Sequence, residues 1–425
     1  MKIAVVGTGI AGNVAAYYLN KHHDVSVFEA DNRIGGHTNT VDVELGGRHY
    51  AVDTGFIVFN NRTYPNFIEL LDELGVASQD SDMSFSMRND NNGLEYKGST
   101  LNTLFAQRRN LIRPSFYRMI RDILRFEREA PEVLEPGAAH ISIGEFLESR
   151  KYSSEFIEHY IIPMGAAIWS AQPVGMRDMP AKFFVRFFRN HGLLSVDNRP
   201  TWRVIKGGSN RYVEKLVAGH RDRIHLQAPV QSISRSGNGV ELKVKGSEPL
   251  YFDHVFLACH SDQALRMLKD PSDAEKEVLG AIRFQTNEAV LHTDTRLMPC
   301  RKLAWAAWNY HILAEERERV ALTYNMNILQ GLDAPEQFCV SLNNSDKIDP
   351  DRILEKIDYS HPVFTEQSIA AQARHQEING VKRTYYCGAY WRYGFHEDGV
   401  LSALNALEHF AERSVHEKRD FRRVS

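Results

Sequence analysis

The chain has 425 residues, more than one ordinary hydrophobic core organises, so two cooperating domains are expected. Its composition, 43% hydrophobic and 25% charged, is that of a folded soluble chain rather than a disordered one. A net charge of −3 offers no basic surplus and excludes nucleic acid as the expected partner.

Four cysteines, Cys259, Cys300, Cys339 and Cys387, lie far apart with no CxxC pair and no metal-ligand spacing. Free thiols in a reducing compartment are the expectation, with no metal site. Lys2 and the apolar residues 3–6 imitate the start of a secretion signal, but the run stops at Gly7 and no A-x-A-like cleavage site follows. No stretch approaches the roughly 18 apolar residues of a membrane span. A cytoplasmic protein is therefore expected.

In chain order, residues 2–6 read as a buried parallel strand. Gly7-Thr8-Gly9-Ile10-Ala11-Gly12 follows and fits G-x-G-x-x-G, then comes an alanine-rich helix over 13–20 and a second strand over 24–28 ending at Glu29. Each part has a physical task. Gly7 permits the tight turn, Gly9 admits backbone N–H groups close to a pyrophosphate, and Gly12 lets the helix pack on the sheet. The helix N-terminus adds partial positive charge. Glu29 lies 20 residues beyond Gly9, where a carboxylate meets an adenosine ribose. A dinucleotide site follows from this unit, without a choice between NAD and FAD.

Further along, residues 64–74 have helical spacing stopped by Gly75, short strands are expected near 83–87 and 94–97, and 101–130 is helical and rich in arginine and aromatics. Ser142 to Glu145 forms a capping box, with helices continuing to about 190. Residues 202–206 read as a strand leading through Gly207-Gly208-Ser209 into a helix over 210–218. Strands follow near 229–233, 240–245 and 252–258. Alternating runs at 289–293, 303–308, 320–325 and 338–342 predict an antiparallel sheet flooring a substrate cavity. Residues 383–388 form a strand ending in Gly388, and a last helix runs from about 394 to His416.

Arg33-Ile34-Gly35-Gly36-His37 directly after Glu29, and Asp53-Thr54-Gly55 beyond it, resemble the flavin amine oxidase superfamily of monoamine oxidases, phytoene desaturases and protoporphyrinogen oxidases. The resemblance extends from Met1 to about Ser414, and the segment 394–403 carries its C-terminal part. It implies an α/β fold: a Rossmann-like FAD-binding domain of the glutathione-reductase-like variant, from residues 1–75, 200–265 and 380–425. Residues 76–199 and 266–379 would form an inserted α+β substrate domain. It further implies noncovalent FAD, since no cysteine sits in the motif used for covalent attachment. The implied contacts are Gly7, Gly9, Ile10, Ala11, Gly12, Glu29, Ala30, Arg33, Gly35, Gly36, His37, Thr54, Gly55, Phe56, Val230, Ala258, Gly388, Glu397, Asp398, Gly399 and Ser402. At position 37 the family pattern has arginine, so the histidine here departs from it. Segments 54–60, 163–171 and 303–310 look similar to a narrower group, bacterial FAD-dependent oxidoreductases and the oxidase-like N-terminal region of plant cyclopropane fatty acid synthases. That group is associated with fatty-acyl modification, including desaturation of methyl-branched chains.

The chemistry implied is hydride transfer to flavin N5, which demands few protein residues. Tyr390, Trp391 and Tyr393 are candidates for the flavin face, and an aromatic cage there would favour an amine. His292 and Lys302 fall in the expected cavity sheet. Segments 108–113 and 182–189 mix cations with large apolar residues. They read either as a face resting on an anionic bilayer at the inner side of the membrane, or as core-facing stripes with arginines reaching solvent. Three functions remain open from the sequence. One is an FAD-dependent oxidoreductase dehydrogenating a fatty-acyl or other apolar small-molecule substrate. The second is an amine oxidase. The third is a non-catalytic flavin-binding partner of a lipid-modifying methyltransferase.

Overall fold

The computed structural model describes residues 1–195, 199–315 and 318–413. The stretch 414–425 of the expected FAD-binding portion, and the expected run of the last helix to His416, lie outside the described residues.

A five-stranded parallel sheet organises the first unit. Its order is Ile224–His225, Asp24–Phe28, Lys2–Val6, His254–Leu257, Thr384–Tyr386, so segments remote in sequence meet in one layer. Alternation along each strand feeds two cores. Ile3, Val5, Val25, Val27, Phe256 and Tyr385 face a core shared with the helices Ile10–Leu19 and His396–Arg413. Ala4, Val6, Phe28, Val255, Leu257 and Tyr386 face the opposite core, against the antiparallel sheet of Val230–Ser236, Gly239–Val244 and Leu250–Phe252. Both faces being covered explains why these strands read as continuous apolar runs.

The third core of the molecule lies on a seven-stranded sheet, in the order Ile353–Val363, Arg283–His292, Cys339–Leu342, Leu322–Asn325, Trp308–Ile312, Phe85–Asn89, Leu94–Lys97. All pairs are antiparallel except Trp308–Ile312 with Phe85–Asn89. The expected strand at 303–308 is corrected: a 3-10 turn, Lys302–Ala304, occupies its start, tied down by the Trp305 indole N–H donating to Pro299 O at 2.8 Å. Sequence reading also missed the edge strand Ile353–Val363, which carries Pro362, a residue tolerated where one side of a strand needs no partner.

A helical block fills 101–190 around a fourth core rich in Phe126, Phe156, Phe184 and Phe188. The Ser142 capping box forms as expected, with Glu145 N donating to Ser142 Oγ at 3.1 Å and Ser142 N to Glu145 Oε2 at 2.8 Å. One turn, Ile157–Ile161, is π-helical. In the helix Ala181–Asn190 the phenylalanines Phe184, Phe187 and Phe188 are buried while Lys182, Arg186 and Arg189 are exposed. That segment is thus a core-facing stripe, which corrects the bilayer reading of 182–189. Among the described residues no helix is long and apolar enough to cross a membrane.

Candidate functional site

Two helix N-termini and two glycine turns converge at the carboxyl end of the parallel sheet, the place where open α/β sheets bind ligands. The turn Gly7–Gly12 is fixed by contact. A Cβ on Gly12 would sit 2.0 Å from Gly7 O and 3.1 Å from Ala258 Cβ, and one on Gly7 would sit 2.7 Å from Ala258 O. Gly9 differs: a Cβ there meets nothing within 4 Å. Space beside Gly9 is therefore open, and the helix Ile10–Leu19 begins there with no side-chain cap. Uncapped N–H groups facing open space are what a pyrophosphate needs. Gly36 closes on this turn, since its Cβ would lie 3.0 Å from Gly9 Cα, and Gly35 N donates to Thr8 O at 3.1 Å.

Around the turn, Glu29 is half-buried and accepts from Thr8 N at 2.8 Å, Thr8 Oγ1 at 2.5 Å and Asp31 N at 3.0 Å. Ala30 is exposed beside it. The strand that starts at Val230 is drawn alongside by Ala228 N donating to Glu29 O at 2.8 Å. Arg33 is half-buried, its guanidinium donating to Thr38 O at 3.3 Å. These expected contacts share one neighbourhood, which an adenosine diphosphate moiety fits.

Beyond the turn, the segment 37–39 pairs with 54–56, Phe56 N donating to His37 O at 2.7 Å and Thr54 N to Asn39 O at 2.9 Å. Gly55 is glycine because a Cβ would strike His37 O at 2.2 Å and the Tyr359 ring at 2.9 Å. The edge strand supplies this wall. Tyr359 stacks on His37 with ring centroids 4.9 Å apart, its hydroxyl lies 2.8 Å from Thr54 Oγ1, and His361 stands edge-on to His37 at 5.2 Å. Asn287 Nδ2 donates to His361 Nδ1 at 2.9 Å, so a neutral His361 carries its proton on Nε2. Burial, then the neighbouring His260, lowers His361 to about 4, and burial with His361 holds His37 well below the usual imidazole range. The wall is thus neutral at pH 7. Tyr359, His361 and His260 were not singled out from sequence; the alternation of Ile357, Tyr359 and His361 was the available signal.

At the last helix, His396 is buried flat against Phe56 with centroids 3.4 Å apart, and its Nε2 lies 2.9 Å from Thr38 Oγ1 and 3.0 Å from Tyr212 OH. Gly399 lets the two helix N-termini touch, as its Cβ would meet Ile10 Cγ2 at 2.5 Å. Gly388 N donates to Ser402 Oγ at 2.8 Å, and Ser402 Oγ donates to Gly399 O at 2.9 Å.

Three further expected contacts are also engaged with protein groups. Glu397 accepts from Asn66 N at 3.2 Å, Asn66 Nδ2 at 2.6 Å and Phe67 N at 2.9 Å, so it caps the helix Pro65–Glu73. Asp398 accepts from Tyr393 N at 3.2 Å and Phe395 N at 3.0 Å, and burial pushes it up to about 6. Ser402 joins the strand-end glycine to the helix. All three therefore hold protein segments in place.

The catalytic candidates separate likewise. His292 is buried, takes the Asp294 N–H on Nδ1 at 3.0 Å and lies 2.8 Å from Ser341 Oγ; burial lowers it to about 4. Lys302 is exposed, its ammonium 5.7 Å from the Trp305 ring. Tyr390 and Trp391 are buried in the core beneath the parallel sheet, Trp391 stacked on His375 at 3.9 Å. Of these four, Tyr390 does touch the convergence, since a Cβ on Gly388 would lie 2.3 Å from its ring. Tyr393 alone joins a wall of rings: Phe183 at 4.7 Å, Phe187 at 5.5 Å, and through Phe187 also Trp169 at 4.8 Å and Phe395 at 5.2 Å.

Comparison with known proteins follows this geometry. The structure resembles putrescine oxidase bound to putrescine (15% identity, TM-score 0.68, covering 97% of this chain and 99% of that one). It resembles equally cyclohexylamine oxidase from Brevibacterium oxydans IH-35A (15%, TM-score 0.69, 97% and 98%). A third is a CLA-producing fatty acid isomerase from P. acnes (15%, TM-score 0.69, 96% and 98%). At such identities these likenesses show the fold, a Rossmann-like α/β unit with a substrate domain. No curated protein sequence matches the chain. A family model, flavin containing amine oxidoreductase, matches residues 10–331. The chain belongs to the flavin-containing amine oxidoreductase family and is an FAD-dependent oxidoreductase.

Proposed function

We propose that this enzyme dehydrogenates or desaturates an apolar substrate, a fatty-acyl chain, with the adenosine diphosphate of noncovalent FAD held by Gly7 to Gly12, Glu29, Ala30, Arg33 and Val230. Gly35, Gly36, His37, Thr54, Gly55, Phe56, Ala258, Gly388 and Gly399 complete the cradle, in a domain drawn from 1–75, 200–265 and 380 onward. Beside it Cys387 is a buried thiol and Cys259 a half-buried one, desolvation pushing Cys259 up to about 12, which makes them poor nucleophiles toward a flavin. When bound, FAD supplies the hydride acceptor.

The observation that carries the substrate class is the ring wall at Tyr393. The charges bearing on that ring are Arg186, Arg392 and Arg189 against the single carboxylate of Asp398, which is committed to two backbone N–H groups. An ammonium substrate would meet net positive charge there. An acyl chain lies on phenylalanine rings, and an anionic head group meets arginine. The ring wall excludes water, while the imidazoles of His37 and His361, lowered by burial, stay neutral and add no further cation. The likeness to a fatty acid isomerase supports this reading. The amine reading is supported by the likeness to putrescine and cyclohexylamine oxidases.

Organic-solvent extraction of the purified holoprotein, with mass spectrometry of what it carried, separates them. Recovery of an acyl lipid is expected; a lipid-free protein whose flavin is bleached by a primary amine contradicts the proposal. A flavin that photoreduces but is turned over by no acyl lipid and no amine would instead support the non-catalytic partner subunit.

A further inference from the structure

We propose that the outer face of the helical block, residues 101–128, docks on an anionic lipid bilayer. Five large apolar side chains stand exposed within 24 residues: Leu101 (77% exposed), Leu111 (49%), Ile112 (86%), Tyr117 (46%) and Leu124 (47%). Only six others are so exposed among the remaining described residues, and they are scattered. Leu111 and Ile112 end the 3-10 turn Arg108–Ile112, a projecting apolar tip.

The helix that follows, Pro114–Glu129, is divided cleanly. Phe116, Met119, Asp122 and Phe126 are buried, and at 100° per residue Tyr117, Arg118, Arg121, Leu124, Arg125 and Arg128 share the opposite face. Apolar side chains therefore alternate with guanidinium groups on the outside, where a helix serving only its own core shows polar residues alone. Charge selects the occupant. Arg108 donates to Phe105 O at 2.9 Å and Arg109 to Gly93 O at 2.6 Å, carbonyls that leave the positive charge uncompensated. Asp122, the acid in the middle of the helix, is fully buried, accepts from Ser153 N at 2.9 Å and pairs with Arg121 at 3.3 Å, which leaves Arg108 and Arg109 as the uncompensated cations beside the tip. Glu155 and Glu129 offset Arg118 and Arg125. What remains is a cationic rim around an apolar tip, complementary to acidic head groups over an acyl interior. The surface is independent of the substrate reading.

Co-sedimentation of the FAD-loaded full chain with phosphatidylcholine vesicles, with and without phosphatidylglycerol at about one lipid in three, tests it. Binding to the anionic vesicles alone is expected, weakening with salt. Leu111→Glu with Ile112→Glu should abolish it. Arg108→Glu with Arg109→Glu should weaken it roughly twentyfold or more, at about fivefold per arginine charge removed. Flavin content and melting temperature confirm each variant's fold, and two independent pairs guard against one failing to fold. Equal affinity for neutral and anionic vesicles, or variants that bind as the wild type does, overturns the proposal. So does a dimer in light scattering that the variants dissolve without any vesicle binding, because the patch then belongs to a second copy of this chain.

Discussion

Gly9 and Gly12 are three residues apart in the same turn, yet replacing each with alanine should have opposite consequences. At Gly12 a methyl group would lie 2.0 Å from Gly7 O and 3.0 Å from Gly7 C, both backbone atoms that cannot swing aside. Relief requires moving the turn or the helix off the sheet, an overpacking cost of about 1–3 kcal/mol or more. At Gly9 the backbone is extended (φ −64°, ψ 176°), a conformation alanine adopts freely, and the methyl enters open space. Loss of unfolded-chain freedom offsets the small capping loss, so the apoprotein should change by less than about 1 kcal/mol. That open space is assigned to the pyrophosphate, so Gly9→Ala should weaken FAD at least tenfold, about 1.4 kcal/mol. Apoprotein urea unfolding and a flavin-fluorescence titration read the two quantities separately. A Gly9→Ala protein that binds FAD as the wild type does, with a Gly12→Ala protein of unchanged stability, would refute the assignment of this turn.

Other consequences can be checked with the same instruments. Arg235 and Glu275 have fully buried side chains paired at 2.5 and 3.0 Å, with Tyr386 OH donating to Glu275 at 2.5 Å, so Glu275→Leu should cost about 1–3 kcal/mol in urea unfolding, the guanidinium keeping Asp270 at 3.1 Å. Burial raises Glu275, but the bonds from Arg235 and Tyr386 outweigh it and hold the carboxyl at about 2. Its stabilisation is therefore full above the unfolded glutamate value and lost as pH falls toward 2. Asp398 has the opposite sign: its carboxyl is raised to about 6, so its contribution is full below the unfolded aspartate value and lost as pH rises through 6. Asp398→Asn should flatten stability between about pH 4 and 6, the window between the two values, in melting scans, and an unchanged slope would count against the burial argument. Lys302→Met should leave the rate of flavin reduction untouched, whereas Phe187→Ala, which opens the ring wall, should cost about 3–5 kcal/mol of stability.

Much of the fold was legible because steric demands write themselves into sequence. Gly7, Gly12 and Gly36 are glycine for contacts of 2.0–3.1 Å, and a strand before and a helix after reveal the turn they serve. Glycines 207 and 208 are explained only in three dimensions: a Cβ on Gly208 would strike Thr40 Cγ2 at 2.6 Å, and the next residue brings its N–H to Asp53 Oδ1 at 2.8 Å. The site was less legible. An acid in the first turn of the last helix looks the same whether it meets a ligand or, like Glu397, caps a helix 331 residues away. Ile353–Val363 escaped notice because Lys356 and Asp358 line one face and Glu355 puts a charge on the other, which hides the alternation of Ile357, Tyr359 and His361. At 182–189 sequence could not decide which way the phenylalanines point; packing against Trp169 and Phe395 decides it.

The most direct test of the account is an anaerobic titration of the oxidised holoprotein with acyl lipid and, separately, with putrescine and cyclohexylamine, following the flavin absorbance. Bleaching by the acyl lipid and none by the amines is the predicted result. Stoichiometric bleaching by either amine, with the lipid inert, would contradict it.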